Sequence, residues 1–297
     1  MAKFQTILVI GCNGQLGQSI QSIEAEYPNF YFSFTNRQSL DLNNITSINN
    51  FFKNKTFDII INCAAHTAVD KAESQPELAN QINNLAVQKL AKIVKEQHSK
   101  LIHISTDYVF SGKQYIPYME ADEAEPQGVY GKTKLQGEHY IQSTLKNNAI
   151  IIRTSWIYSE YGNNFVKTML ELGQQRDTLN VIYDQIGTPT YAKDLAKSII
   201  CIIETQAFNK ENFKTEIVNY SNEGVCSWYD FAKAIFELMN IECLVLPVET
   251  KDYPMPAKRP HYSVLNKTKI KKKYHLTIPY WKDSLRICLT AMQRRAS

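Results

Sequence analysis

An α/β fold, a doubly wound parallel sheet with a smaller α/β lobe set on it to bind substrate, is what the sequence predicts, and three observations carry that reading. β-Branched and aromatic runs alternate with longer amphipathic stretches through the first half of the chain. A glycine-rich turn follows the first of those runs directly. The second half loses the alternation and is broken by Pro189, Pro247, Pro254, Pro256 and Pro260.

In chain order, strands are expected over residues 7–10, 30–34, 57–61, 101–104 and 150–152. Between the third and fourth, residues 77–96 place Leu, Ile and Val three to four apart, the mark of one long helix with a single buried face. Strict alternation of this kind implies parallel strands covered by helices on both faces. Further helices are expected over 164–172, 192–204, 227–239 and 280–292. With no internal repeat and no low-complexity linker, the two lobes should associate rigidly, with a cleft between them.

Composition removes several functional classes. The 297 residues are 44% apolar, enough for a core without covalent staples. Six cysteines, at 12, 63, 201, 226, 243 and 288, show no metal or redox spacing and read as reduced thiols. The start, Met1 to Thr6, runs straight into the apolar segment 7–10, and no stretch approaches the roughly 18 apolar residues of a membrane span, so a soluble, cytoplasmic protein is expected. The net charge is +4, and the one basic cluster, Lys267, Lys269 and Lys271 to Lys273, reads as a solvated helix face rather than a nucleic-acid or lipid site.

The glycine turn is Gly11-Cys12-Asn13-Gly14-Gln15-Leu16-Gly17, with a helical pattern after it. Gly11 permits a tight exit from the strand, Gly14 lets backbone approach a pyrophosphate, and Gly17 lets the helix close on the sheet. The helix start then offers free N–H groups to the anion. This Rossmann-type arrangement predicts a dinucleotide held by Gly11, Asn13, Gly14, Gln15, Leu16 and Gly17. At the end of the second strand an acidic residue would select NAD, but the sequence has Thr35-Asn36-Arg37. Arg37 can pair with a 2′-phosphate, which favours NADPH and leaves NADH open, while Asp41 and Leu42 fall where an adenine edge would lie.

Tyr130 and Lys134, four residues apart in a helical pattern, should share one face. A free phenol titrates near ~10, so bringing it close to neutrality takes about 4 kcal/mol. One ammonium at ~4 Å in an effective dielectric of ~20 supplies an attraction of that size. On this reading Lys134 lowers the Tyr130 pKa and makes it a proton donor, and it also holds the nicotinamide ribose. Upstream, Ser105-Thr106-Asp107-Tyr108-Val109-Phe110 brings hydroxyls to the carboxyl end of the fourth strand, where one can orient Tyr130 and meet a carbonyl oxygen.

These runs, with the stretch from Asn62 to Glu73, Arg153-Thr154-Ser155-Trp156, Gly162-Asn163-Asn164-Phe165, Gly187-Thr188-Pro189-Thr190 and Arg259-Pro260 ahead of Ser263 and Leu265, resemble the extended short-chain dehydrogenase/reductase family over nearly the whole chain. Within it they are similar to the branch that reduces the C4 keto group of dTDP-4-dehydro-β-L-rhamnose to dTDP-β-L-rhamnose. The resemblance implies that Thr106 is the hydroxyl beside Tyr130 and Lys134, and that Ala64, Ala65 and Thr67 line the cofactor. It implies a dTDP-sugar contacted by Thr106, Asp107, Trp156 and Asn164, with Arg259 on its diphosphate. It divides the chain into a dinucleotide-binding domain, residues 1–155 with a return segment at about 179–222, and a sugar-nucleotide lobe at about 156–178 and 223–297. His66 is read as packed near the cofactor rather than as an acid. Lys193 stands three residues after Thr190, where certain relatives carry an acidic residue for a magnesium at a dimer contact, so no metal and no such dimer is carried over, and a homodimer is left open.

Two rival readings use the same scaffold. One is a sugar-nucleotide epimerase or dehydratase of the same family; dehydratases look for an Asp-Glu pair after the threonine, and here Tyr108 follows Asp107, which disfavours elimination chemistry. A non-catalytic regulatory subunit, like that of methionine adenosyltransferase, would act by association alone, and intact Thr106, Tyr130 and Lys134 argue against it.

Overall fold

The computed structural model describes residues 4–296. Strands β1 (Gln5–Ile10), β2 (Phe30–Thr35), β3 (Ile59–Asn62), β4 (Lys100–Thr106) and β5 (Ala149–Thr154) alternate with helices α1 (Gln15–Gln21), α2 (Ile45–Phe52), α3 (Val69–Ser74), α4 (Pro76–Asn80), α5 (Ala86–Glu96) and α6 (Val129–Thr144). Short strands β6 (Ile157–Tyr158), β7 (Thr178–Ile182), β8 (Ile186–Gly187) and β9 (Thr190–Tyr191) enclose α7 (Phe165–Gln175) and lead to α8 (Ala192–Glu204) and α9 (Gln206–Asn209). Then come β10 (Glu216–Asn219), β11 (Cys226–Ser227), α10 (Trp228–Met239), β12 (Leu244–Val248), α11 (Thr268–Tyr274) and α12 (Trp281–Ala296).

Six strands form one all-parallel sheet in the order β10-β5-β4-β3-β1-β2. Its centre is apolar on both sides, since every residue of β3 and of β5 is buried. Alternate residues of the same strands enter different cores, as side chains of a pleated strand must. Ile7, Val9, Ile59 and Ile61 pack with Leu16 and Ile20 of α1 and Ile199 and Ile203 of α8. Leu8, Ile10, Ile60 and Leu101 pack with Ile48 of α2 and Val87, Leu90 and Val94 of α5. The sheet is therefore doubly wound and Rossmann-like. Its winding reverses between β1 and β3, and ligands of such sheets bind outside the carboxyl ends of the strands at that point.

The expected single helix over 77–96 is instead α4, a π-helical turn (Gln81–Leu85) and α5. Tertiary hydrogen bonds account for the widened turn. Asn83 in it accepts from the His66 N–H at 2.8 Å, and its amide nitrogen donates to the His66 carbonyl at 3.1 Å and to Thr133 at 3.2 Å. One side chain thus ties the loop after β3 to α6.

A second core holds the smaller lobe. Val166 and Met169 of α7, Phe231 and Ile235 of α10 and Leu285 and Leu289 of α12 pack with Leu179 and Val181 of β7, which pairs in parallel with β12. Helix α10 begins with a capping box: Ser227 accepts from the Asp230 N–H, and Asp230 accepts from that of Ser227. Near the C-terminus, α11 returns to the first core through Ile270 and Tyr274. The basic cluster on and before α11 is paired rather than freely solvated: Lys267 and Lys271 meet Glu223 at 3.5 and 2.7 Å, and Lys269 and Lys273 meet Glu216 at 3.3 and 2.6 Å. Its lysines hold both carboxyls below their ordinary pKa against the opposing effect of burial. No helix among the described residues is long and apolar enough to cross a membrane.

Candidate active site

A cleft of about 850 Å³ opens at the carboxyl ends of β1, β3 and β4 and reaches the second lobe. Gly11, Asn13, Gly14, Gln15 and Leu16 form one wall, and Arg37, Asp41 and Leu42 lie at one end. Ala64, Ala65, His66 and Thr67 follow β3. Thr106, Asp107, Tyr130 and Lys134 line the middle, with Trp156 and Asn164 from beyond β5. The residues singled out from the sequence as ligand contacts all line this cleft except Gly17 and Arg259.

The glycine loop fits a diphosphate. Gly11 has a positive φ of 84° and lies against Ala64, which a Cβ at Gly11 would approach to 2.9 Å. Gly14 is the N-cap of α1 and supplies no side chain to the helix start, whose first turn also lacks an acidic residue. Uncapped N–H groups at a helix start favour an anion. Gly17 acts from behind: a Cβ there would sit 2.4 Å from the Gly11 carbonyl oxygen and 2.6 Å from Cys12 Cα. Gly17→Ala is accordingly expected to push the loop outward, destabilise the protein by about 1–3 kcal/mol and weaken dinucleotide affinity at least tenfold. Thermal melting and cofactor titration read these effects, and a variant with wild-type values in both would refute the close-packing role.

At the far end, the Arg37 side chain is 74% exposed and touches Asp41 at 3.4 Å, a surface pair that leaves the guanidinium available. Gln15 and Asn164 join the loop to the second lobe. Gln15 Oε1 accepts from Asn164 at 3.0 Å and from Ser159 at 3.1 Å. Asn164 Oδ1 caps α7 by accepting from the Lys167 N–H at 3.2 Å. These internal bonds hold Asn164 in the cleft wall.

Tyr130 is buried, its ring edge-to-face with Tyr108 at 5.6 Å and 73° and packed with Ala72 and Ala79. Burial pushes its phenol up to about 12, with the nearby Asp107 charge adding to the rise and a hydrogen bond with Thr106 opposing it. This reverses the expected downward shift. Burial is the main reason, while the Lys134 Nζ donates to the Ile104 carbonyl at 2.6 Å and lies 3.3 Å from His103 Nε2. Burial brings that lysine down to about 8, with Glu138 opposing the fall. Asp107 is itself raised to about 6 by burial, against hydrogen bonds from Ser263 and Thr106.

Trp156 has a left-handed backbone, φ 48°, and lies face to face with Trp228 at 3.6 Å and 12°. Gly187 makes room for it, since a Cβ there would fall 2.6 Å from the indole. Arg259 is not among the residues that line the cleft; its guanidinium makes two bonds to Asp70, at 2.6 and 3.0 Å. His66 lines the cleft with its Nδ1 buried and without a hydrogen bond. Sequence reasoning missed Trp228, Asn62 and His103. For the last two the signal was present, as polar side chains inside fully apolar parallel strands need buried partners.

The RmlD substrate binding domain matches residues 5–294 of the chain. A dTDP-4-dehydrorhamnose reductase of Aggregatibacter actinomycetemcomitans is 40% identical over 287 residues, covering 94% of this chain and 97% of the relative. The structure of a Clostridium acetobutylicum dTDP-4-dehydrorhamnose reductase is similar at a TM-score of 0.89 and 42% identity, covering 97% of this chain and 99% of that one. That of the Bacillus anthracis dTDP-4-dehydrorhamnose reductase in complex with NADP matches at 0.89 and 36%, covering 97% and 100%.

Proposed function

The chain belongs to the RmlD substrate binding domain family, that of the dTDP-4-dehydrorhamnose reductases, and from this premise we infer that it reduces the C4 keto group of dTDP-4-dehydro-β-L-rhamnose with NADPH, Tyr130 acting as the proton donor. The observation that carries the reading is that Thr106, Tyr130 and Lys134 line the same cleft as the uncapped glycine loop. The loop residues 11–16 hold the diphosphate, Ala64, Ala65 and Thr67 flank the cofactor, and Arg37 takes the 2′-phosphate. When bound, the cofactor supplies the hydride. The chain supplies the proton: Tyr130, kept protonated by its raised pKa, gives it to the C4 oxygen while Thr106 orients the phenol. Asp107 and Trp156 face the sugar.

Packing supports a division of labour that differs at two places from the expected boundaries. Residues 4–155 with α8, β10 and α11 hold the cofactor, and α7, β7, α10, β12 and α12 form the sugar-nucleotide lobe. A dehydratase reading lacks its second carboxylate, because Tyr108 occupies that position.

The test is NADPH oxidation with dTDP-4-dehydro-β-L-rhamnose and mass analysis of the product. Formation of dTDP-β-L-rhamnose in step with NADPH consumed supports the reading, and absence of turnover overturns it. Arg37→Ala is expected to raise the KM for NADPH about tenfold, the ~1.4 kcal/mol of one charge-assisted hydrogen bond, while the KM for NADH stays put. Equal effects on both cofactors would remove Arg37 from the 2′-phosphate.

A further inference from the structure

Behind Lys134 runs a buried chain of hydrogen bonds whose protons can be placed one at a time. It starts at the Ala64 N–H, which can only donate, and which gives its hydrogen to Asn62 Oδ1 at 3.1 Å. This fixes which end of the Asn62 amide is oxygen. The amide nitrogen then faces His103 Nδ1 at 3.1 Å. An amide NH₂ donates and does not accept, so His103 Nδ1 must carry the lone pair and the ring proton must sit on Nε2. Nε2 is the atom that meets Lys134 Nζ, and on its other side Nζ donates to the Ile104 carbonyl.

An ammonium has three donors and no acceptor, so it would confront the His103 N–H donor to donor. A neutral amine suits both neighbours, accepting from His103 and donating to Ile104. Asn62, His103 and Lys134 are all buried, so no solvent can repair a mismatch. We propose that His103, locked in its Nε2–H tautomer by Asn62, is a positioning residue that favours the neutral amine of Lys134 over its ammonium and thereby sets how much charged lysine the reductase site has at a given pH. The role of that charge in the reaction rests on the function proposed above, whereas the tautomer and the lysine titration do not.

The surroundings agree with this polarity. Burial holds the His103 pKa well below its ordinary value, and the charge that Lys134 carries below its own midpoint lowers it further, so the imidazole is neutral in either state of the lysine and has one proton to place. Lys134 titrates near 8 for want of solvation. Glu138, one turn further along α6, favours the ammonium, but its carboxylate is bound to Arg153 from β5 and to Ser105 from β4. On the cleft side stand Tyr130, Thr106 and Asp107.

The test uses the full-length protein. Nitrogen NMR of isotope-labelled histidine, without substrate, should show His103 with an unprotonated Nδ1 and a protonated Nε2 throughout the neutral range. The opposite tautomer overturns the proposal without any variant. Carbon NMR of labelled lysine should show Lys134 titrating near 8. In His103→Gln the side-chain carbonyl can accept from the ammonium, so that midpoint should rise by about one unit, a tenfold change in proton affinity. The fall of kcat/KM at high pH should move up with it. Asn62→Asp provides a second route: its carboxylate accepts from His103 Nδ1–H, reverses the ring, and should also raise the lysine midpoint. A midpoint unmoved in either folded variant refutes the role of His103. If the protein reduces no keto sugar, the functional reading fails, and the two NMR readouts still decide the relay.

Discussion

Tyr130→Phe is expected to lower kcat by about 10²–10⁴-fold while leaving NADPH affinity within threefold of wild type and the thermal midpoint nearly unchanged, because general acid catalysis by one positioned group is worth that much. The ring contacts that hold this side chain, to Tyr108, Ala72 and Ala79, survive in phenylalanine. What is lost is the hydroxyl and its bond with Thr106. A Tyr130 phenol raised to about 12 keeps its proton across the neutral range, the state a reductive step starts from. The proton is therefore in place before the ketone arrives, held there by burial of the phenol with the Asp107 charge adding to it. Single-turnover rates and cofactor titration on the same preparation separate the effects. A variant with more than a tenth of wild-type kcat would assign the acid to another group.

Five of the six strands of the main sheet were legible, because burial on both faces gives β3 and β5 runs of three isoleucines, whereas β10, the short edge strand Glu216–Asn219, was not among the expected strands. Helix α8 was legible from its apolar period, and its observed span, Ala192–Glu204, is the expected one. The π-turn at Gln81–Leu85 was not, since its apolar spacing fits an ordinary helix and only the distant partners His66 and Thr133 distinguish it. The diphosphate role of Arg259 was implied by the resemblance alone, and its pairing with Asp70, 189 residues away in sequence, could not be read from spacing. Spacing placed Tyr130 and Lys134 on one helix face, but an i,i+4 interval fixes where side chains start, not where a lysine ends. The end of Lys134 is decided by Ile104 and His103 on β4, and the sign of the Tyr130 shift chiefly by burial, neither of which the spacing shows.

Glu138→Gln is expected to destabilise the protein by about 3–5 kcal/mol, since removing one charge of a buried pair strands the other. Glu138 is fully buried, and its carboxylate takes Arg153 Nε at 3.1 and 3.2 Å and Nη2 at 2.7 Å, together with the Ser105 hydroxyl. The guanidinium also lies over the Phe110 ring, with Cζ 4.9 Å from its centre. Three elements meet in this group: Ser105 beside Thr106 at the end of β4, Arg153 near the end of β5, and Glu138 one turn beyond Lys134 on α6. A glutamine keeps the shape, loses the charge and leaves the arginine uncompensated. Replacing both partners, Glu138→Leu with Arg153→Met, removes both desolvation penalties and should recover most of the loss in urea unfolding. Activity should not follow stability. Glu138 opposes the fall of the Lys134 pKa, so without its charge the lysine midpoint should move below about 8 and the high-pH decline of kcat/KM should begin earlier in the double variant than in wild type. A single variant less than about 1 kcal/mol weaker than wild type would show that the pair does not bind the three elements together, and a high-pH decline that stays in place in the double variant would show that Glu138 does not act on the lysine.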